Sequence, residues 1–192
     1  MEVANPDNAW IQTVESTNAE IIQQARRIIT GNIYCTLSTC SLDSVPWVSP
    51  VFFAFDSNLN IYWSSAIKSQ HSQNLYENSG RVAIAIFDSS PPEGTAEGLY
   101  FSGYANELEN PNRVKETLKL LSARARKKIE RTEKDYLDDS PRRIYHFQPQ
   151  SVWVTGERLP VGNQLVDTKV SFSLLDLIPL NAPPAITSVE LG

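Results

Sequence analysis

Residues 33–65 read IYCTLSTCSLDSVPWVSPVFFAFDSNLNIYWSS, and their alternation of apolar and polar residues predicts strands joined by tight turns. The predicted order is a strand over 33–39, a polar turn over 41–44, a long apolar strand over 45–55, a turn over 56–58 and a return strand over 59–63. Such short links join antiparallel strands. Pro46 and Pro50 cannot donate to a ladder, so the long strand should be an edge, or bent, at those points. A ligand could use the backbone groups left unpaired there.

The rest of the chain predicts a mainly β protein with a few flanking helices. Further strands are expected over 81–87, 97–108, 142–147 and 151–155, and helices over about 18–30, ended by Gly31 at C′, and from Pro111 onward. The segment 123–134 is dense in charge of both signs, which is typical of a solvated helix face; a functional basic patch is the less favoured interpretation. We expect the sheet to close on itself, because closure removes exposed strand edges.

Composition limits the possible partners and compartment. The chain has 192 residues and a net charge of −5, which favours one domain and disfavours a nucleic-acid backbone as partner. The N-terminal segment lacks the basic and apolar regions of a signal peptide, and no apolar run is long enough for a membrane span, so we expect a cytoplasmic protein with no membrane partner. Cys35 and Cys40 have no zinc-like spacing and are expected to be reduced thiols, and no metal site is predicted.

The stretch 62–75, YWSSAIKSQHSQNL, carries the most distinctive chemistry. It leaves a strand, passes Ser64, Ser65 and Lys68, and enters a short helix in which His71 and Asn74 share a face. Hydroxyls, backbone N–H groups and a cation are what phosphate recognition requires. An ordinary polar strand-to-helix connection explains the same composition equally well. No serine-hydrolase, nucleotide-loop or zinc-protease motif accompanies it.

The ordered set of segments resembles the pyridoxamine 5′-phosphate oxidase-like flavoproteins. The segments that carry the resemblance are 33–65, then HSQNLYENSGRVAIAIFDSS, GLYFSGYANELE and RRIYHFQPQSVWVTGE. More narrowly, the chain is similar to the branch with His-Ser-x-Asn before the buried strand.

This resemblance implies a six-stranded antiparallel split β-barrel, dimeric, with flavin mononucleotide (FMN) in a cleft at the dimer interface. It assigns Ser64, Ser65, Lys68 and His71 to the region of the phosphate, and Asn74, on the same helix face as His71, is a further candidate for cofactor binding. It places Val51 and Phe52 on the strand that lines the isoalloxazine ring, and makes Trp153 a candidate to reach the flavin of the partner subunit. The domain boundaries that follow are an N-terminal arm (1–14), the FMN-binding barrel (15–158) and an irregular tail (159–192) that packs on the barrel or the partner.

The functional prediction is an FMN-dependent oxidoreductase acting on a small-molecule substrate that the sequence does not identify. Two alternatives stay open: a non-catalytic flavin- or haem-binding protein on the same barrel, and a flavin-free structural dimer. The sequence does not distinguish FMN from the deazaflavin F420, which some relatives use.

Overall fold

Six strands close into an antiparallel barrel in the computed structural model, which describes residues 2–5, 13–15 and 18–177. The strands are β1 (Thr13–Glu15), β2 (Tyr34–Cys40), β3 (Pro46–Phe55), β4 (Ile61–Ala66), β5 (Arg81–Phe87), β6 (Gly98–Glu107), β7 (Arg142–Thr155), β8 (Leu159–Val161), β9 (Gln164–Val166) and β10 (Lys169–Ser171). The helices are α1 (Ala19–Gly31), α2 (Gln70–Glu77), α3 (Pro111–Arg124) and α4 (Leu174–Leu177), with a 3₁₀ turn at Glu133–Tyr136.

Neighbouring strands in the barrel follow the order β2, β3, β4, β7, β6, β5 and back to β2. The expected closed, six-stranded antiparallel barrel with flanking helices is therefore confirmed. Outside the ring, β10 pairs with β7 and β1 pairs in parallel with β10. None of the helices in the described part of the chain has the length and apolar content that crossing a membrane requires.

Strand β3 changes partner along its length, as its prolines predict. It pairs with β2 from Pro46 to Phe52, but it pairs with β4 only through Phe53, Ala54 and Phe55. Over the proline-containing half, no strand among the described residues therefore pairs with the edge that faces away from β2. This free edge of β3 adjoins the site described below.

Two sequence expectations about strands were wrong. The segments 142–147 and 151–155 form one strand, β7, because the ladder with β6 continues through a register shift beside Gly103. A Cβ on Gly103 would collide with the carbonyl oxygen of Gln148, so only glycine permits this close approach. The part of the tail that the structure describes, 159–177, is not irregular, since it forms the β8–β9 hairpin, β10 and α4.

The core fills the barrel with large apolar side chains that alternate along the strands. The largest fully buried ones are Trp63, Tyr145, Phe53, Phe101 and Phe147. A second apolar cluster lies under α3, whose buried stripe includes Val114, Leu118 and Leu121. The helix expected from Pro111 onward therefore turns its apolar residues toward the barrel, and Asn110 is its N-cap.

Helix α1 begins after Asn18, whose side-chain oxygen accepts a hydrogen bond from the backbone of Glu20. Gly31 is the last helical residue and does not occupy the C′ position that we expected; Asn32 caps the helix in an extended conformation. Arg124 secures this end, because its guanidinium donates to the backbone carbonyls of Ile29 and Asn32. Trp10 and Ile11 of the N-terminal arm lie outside the described residues.

The charged segment that follows α3 is not helical over its whole length. The helix ends at Arg124, and residues 125–132 cross the surface without regular structure before the 3₁₀ turn begins. Ile129 packs against the cluster under α3, which ties this segment, here called the strap, to the barrel. The flanking Lys128 and Arg131 are exposed.

Candidate functional site

A cavity of about 540 Å³ opens beside the free edge of β3 and gathers residues from distant parts of the chain. Its walls come from β3 (Pro50, Val51, Phe52), β4 (Ser64, Ser65), α2 (His71), α3 (Leu121), the strap (Lys128–Arg131), Tyr136 and the first residue of β7 (Arg142). Five of the residues selected from the sequence, Val51, Phe52, Ser64, Ser65 and His71, therefore lie on one cavity.

Arg142 supplies a cation at this cavity. Its Nη2 donates to Ser64 Oγ at 3.1 Å and approaches the carbonyl oxygen of Ser64 at 3.5 Å. Its Nε is buried and has no hydrogen-bond partner among the described residues. A buried guanidinium N–H without an acceptor is costly, so an anion that reached it would be bound favourably.

Arg142 was not among the site residues expected from the sequence, although it lies in one of the segments that carry the family resemblance. The signal was the Arg142–Arg143 pair at the beginning of a strand, which we interpreted only as a strand. Antiparallel pairing of β4 with β7 aligns Ala66 with Arg142 and Ser64 with Ile144. This register brings the guanidinium beside the two serines, and no local pattern around residue 64 reveals it.

His71 occupies the floor of the cavity within a set of serine hydroxyls. Its Nε2 lies 2.8 Å from Ser65 Oγ and 3.1 Å from Ser69 Oγ, and its Nδ1 lies 3.0 Å from Ser49 Oγ. The residue is 8% exposed. Burial lowers the pKa of the imidazole below its ordinary value, because desolvation disfavours the charged form.

Another part of the cavity wall is apolar. Val51 is buried, and Phe52 is half-buried where it meets the ring of Tyr34 edge-on at 6.4 Å between centroids. Leu121 and the partly buried Ile129 extend this wall on the side of α3. The lining of the cavity therefore combines cationic and hydroxyl groups with an apolar surface on which a flat ring can pack.

The other three residues selected from the sequence lie elsewhere. Lys68 is exposed in the turn between β4 and α2 and does not line the cavity. Asn74 is 1% exposed and donates from Nδ2 to Thr39 Oγ1 at 3.0 Å, so it ties α2 to β2. Trp153 is paired with Tyr100 on the outer side of the barrel and is not in the cavity.

The outer face of β2, β5 and β6 is low in charge. At alternate positions these strands present residues that are small or aromatic, with Arg81 as the one charged member: Tyr34, Thr36, Ser38, Cys40, Arg81, Ala83, Ala85, Phe87, Tyr100, Ser102 and Tyr104. Pro50 pairs with Thr36 and Phe52 pairs with Tyr34, so the face continues to the edge of the cavity. We call this surface the outer face.

A larger cavity of about 850 Å³ lies at another position, between α1, the segment before β6 and the residues that follow β7. Its charged side chains are of both signs, for example Glu20 and Glu97 against Arg27 and Lys169. None of the residues selected from the sequence lines it.

Comparison with known proteins identifies the family and fold. A family model described as pyridoxamine 5′-phosphate oxidase matches residues 21–156. No curated protein is significantly similar to the chain in sequence.

The similar solved structures include a heme binding protein from Mycobacterium smegmatis (TM-score 0.59, 17% identity, covering 85% of this chain and 62% of that one). A conserved hypothetical protein from Mycobacterium tuberculosis matches with a TM-score of 0.54 and 17% identity, over 90% of this chain and 95% of the other. General stress protein 26 from Bacillus anthracis matches with a TM-score of 0.51 and 15% identity, over 77% and 98%. At these identities the structural matches establish a shared barrel.

Proposed function

The chain belongs to the pyridoxamine 5′-phosphate oxidase family, and we propose that it binds FMN in the cavity beside β3 and acts as an oxidoreductase on a small-molecule substrate. The observation that carries this proposal is the buried, unpartnered Nε of Arg142 at a cavity that also presents the hydroxyls of Ser64 and Ser65. The family match supports a flavin- or haem-binding barrel; the choice of FMN rests on the chemistry of these residues.

The donor set suits a phosphomonoester that is attached to an aromatic ring system. Arg142 offers a charged N–H, and Ser64 and Ser65 offer hydroxyls, which together match the several acceptor oxygens of a phosphate dianion. Val51 and Phe52 offer the apolar surface that a flavin ring requires. A flavin supplies the redox chemistry itself, while the protein binds it, orients it and controls access to it.

Haem is the main alternative ligand, because it is the ligand named for one similar structure. A haem iron is commonly held by a neutral imidazole. Both ring nitrogens of His71, the one histidine that lines the cavity, already contact serine hydroxyls. Iron coordination there would require breaking this network, so the residues favour a phosphate-bearing ligand.

We further propose that the functional unit is a homodimer formed through the outer face. The face is extended, and its strands carry Arg81 as their charged member, with Lys169 over the ring of Tyr100 at the border; an exposed surface of this size usually carries more charge. Because Pro50 and Phe52 belong to both the outer face and the cavity, a second copy on this face would close the open side of the cavity. Trp153, beside Tyr100, would then lie near the interface.

The direct experiment is to denature the purified protein and identify what it releases by mass spectrometry and absorbance. We expect FMN in near-stoichiometric amount and the flavin bands of the native protein to disappear on its release. Release of F420 would mean that the ligand is a flavin-type molecule with a phosphate group, as proposed, but that it is not FMN. A Soret band with released haem would refute the flavin proposal. A colourless protein that does not bind added FMN would leave the flavin-free structural dimer.

A further inference from the structure

We propose that His71 is a positioning residue that never touches the ligand: as the neutral Nε2–H tautomer it donates to Ser65, so that Ser65 directs its own hydroxyl proton to the ligand's phosphate. The inference rests on the proposed FMN site. It assigns the contact with phosphate to Ser65 and gives His71 the task of fixing the direction in which Ser65 donates.

The placement of the ring proton follows from the protons available on the neighbouring groups. Ser69 Oγ has a single proton, and both of its donor contacts, to the carbonyl oxygen of Ala66 and to Ser72 Oγ, are at 2.9 Å. Two shorter contacts thus compete with Nε2 of His71 for this one proton, which favours Nε2 as the donor in its own contact with Ser69. With Ser69 donating to these other acceptors, Nε2 carries the ring proton and shares it between Ser65 Oγ at 2.8 Å and Ser69 Oγ at 3.1 Å, with the shorter contact to Ser65 as the main one.

The other side of the ring agrees with this assignment. The indole Nε1 of Trp47 is a donor only, and it donates to Ser49 Oγ at 3.0 Å. Ser49 therefore accepts from Trp47 and keeps its own proton for Nδ1 of His71, 3.0 Å away. Burial also lowers the pKa of His71, which favours a neutral ring with one donor and one acceptor nitrogen.

The position of the ring proton determines the direction in which Ser65 donates its hydroxyl proton. Ser65 is 7% exposed, lies 2.8 Å from Nε2 and lines the cavity next to Ser64, which Arg142 contacts. If Nε2 donates to Ser65, the hydroxyl oxygen of Ser65 already accepts a hydrogen bond from the protein. Its own proton is then free for an acceptor in the cavity, which is what an anionic oxygen provides.

Two substitutions of His71 separate this role from direct contact with the phosphate. The amide nitrogen of glutamine reaches the position of Nε2 and keeps a donor for Ser65, whereas the shorter asparagine reaches only the position of Nδ1. We expect His71→Gln to keep FMN affinity within about threefold and His71→Asn to lose about tenfold. Ser65→Ala should lose a similar factor, and adding His71→Asn to Ser65→Ala should cost little more. Riboflavin, which has no phosphate, should bind all these variants almost alike.

Equal losses in His71→Gln and His71→Asn, or additive losses with Ser65→Ala, would overturn the proposal and indicate direct contact or a purely structural role. Thermal unfolding of each variant measures whether the substitution destabilises the fold. A destabilised fold would weaken the binding of riboflavin as well as that of FMN, whereas a lost phosphate contact would weaken only FMN binding.

A second measurement decides the tautomer without any ligand. The chain has two histidines, so ¹H–¹⁵N correlation spectra of the rings can be assigned by comparison with His146→Gln. We expect His71 to be neutral at pH 8 with its proton on Nε2; a proton on Nδ1 overturns the proposal. If the native protein failed to bind FMN, the proposed function would fall, while this spectrum would still confirm or refute the hydrogen-bond arrangement.

Discussion

At the scale of single residues, Arg142 and Lys68 are alternative partners for a phosphate. Arg142 lines the cavity with a buried Nε, whereas Lys68 is exposed outside it. A charge-assisted hydrogen bond contributes about 1.5–3 kcal/mol, so we expect Arg142→Ala to weaken FMN binding by about ten- to a hundredfold and riboflavin binding much less. Lys68→Ala, the matched control, should have the smaller effect, and fluorescence titration of both ligands measures it. A larger loss in Lys68→Ala would instead support the lysine assigned from the sequence.

The burial of His146 predicts how the stability of the protein depends on pH. The ring of His146 stacks on Tyr62 with 5.1 Å between centroids, and its Nε2 is buried without a partner among the described residues. Burial, helped by the nearby Arg113 and opposed by Asp56, lowers the pKa of His146 from 6.5 to about 4. Between these values the unfolded chain binds the proton that the folded chain excludes, so stability falls as pH decreases from about 6.5 toward 4.

The size of this effect is about 1–2 kcal/mol after an allowance for solvent screening at a partly exposed ring. We expect His146→Gln to show a shallower loss of the free energy of unfolding between pH 6.5 and 4.5, measured by urea denaturation. His71→Gln is the control for the second histidine, whose pKa is also lowered by burial. An unchanged slope in His146→Gln would assign the acid sensitivity to other groups.

The sequence identifies the residues of the site that are close together in the chain and misses the one that is distant. Ser64, Ser65 and His71 were selected because a polar stretch follows a strand directly. Arg142 lies 78 positions from Ser64 and reaches it only because β4 pairs with β7. Likewise, helical spacing correctly places His71 and Asn74 on one face, but it does not tell which partner each side chain meets.

At the scale of elements, the strap is the segment for which the sequence was least informative. Its charges are typical of a solvated helix, yet Ile129 docks on the apolar cluster under α3 and holds Lys128 and Arg131 at the cavity. The docking of Ile129 is a tertiary contact, and the pattern of charges along the chain does not predict it. The strands were easier to predict because alternation and turns are local signals. The exception is β7, which was predicted as two strands, whereas its ladder with β6 continues around Gln150.

The position of the strap predicts that a bound ligand protects it from proteolysis. Trypsin can cut after Arg126, Lys127, Lys128 and Arg131, all of them exposed. Because cleavage requires local opening, a ligand that contacts the strap in the cavity should slow it several-fold at saturating FMN. Mass spectrometry of the fragments over time measures this rate, and riboflavin at equal occupancy is the control. Equal cleavage with and without FMN would show that the ligand does not contact the strap.

At the scale of the whole molecule, the cavity and the outer face form one continuous surface. The register aligns Pro50 with Thr36, Thr36 with Ala85, and Ala85 with Tyr100, so one row of side chains runs from the cavity edge across the barrel to Trp153. The sequence shows an excess of aromatic residues on these strands. Only the closed barrel shows which of them, Trp63 for example, are inside and which face outward.

The test of this continuity is a single charge placed in the middle of the row. Ala85 is partly exposed on the outer face, and Ala85→Glu would put an unpaired carboxylate at the centre of a dimer interface, where desolvation disfavours it. We expect light scattering to show a dimer for the native protein at micromolar concentration and a monomer for Ala85→Glu. Flavin binding should weaken in parallel, for FMN and riboflavin alike, because the loss removes a wall of the cavity and leaves the phosphate contacts unchanged. Ser122→Glu, on the exposed side of α3, is the control for added charge, and circular dichroism verifies that both variants fold. A native monomer that retains its flavin would contradict the homodimer, and a dimeric Ala85→Glu would place the interface on another surface.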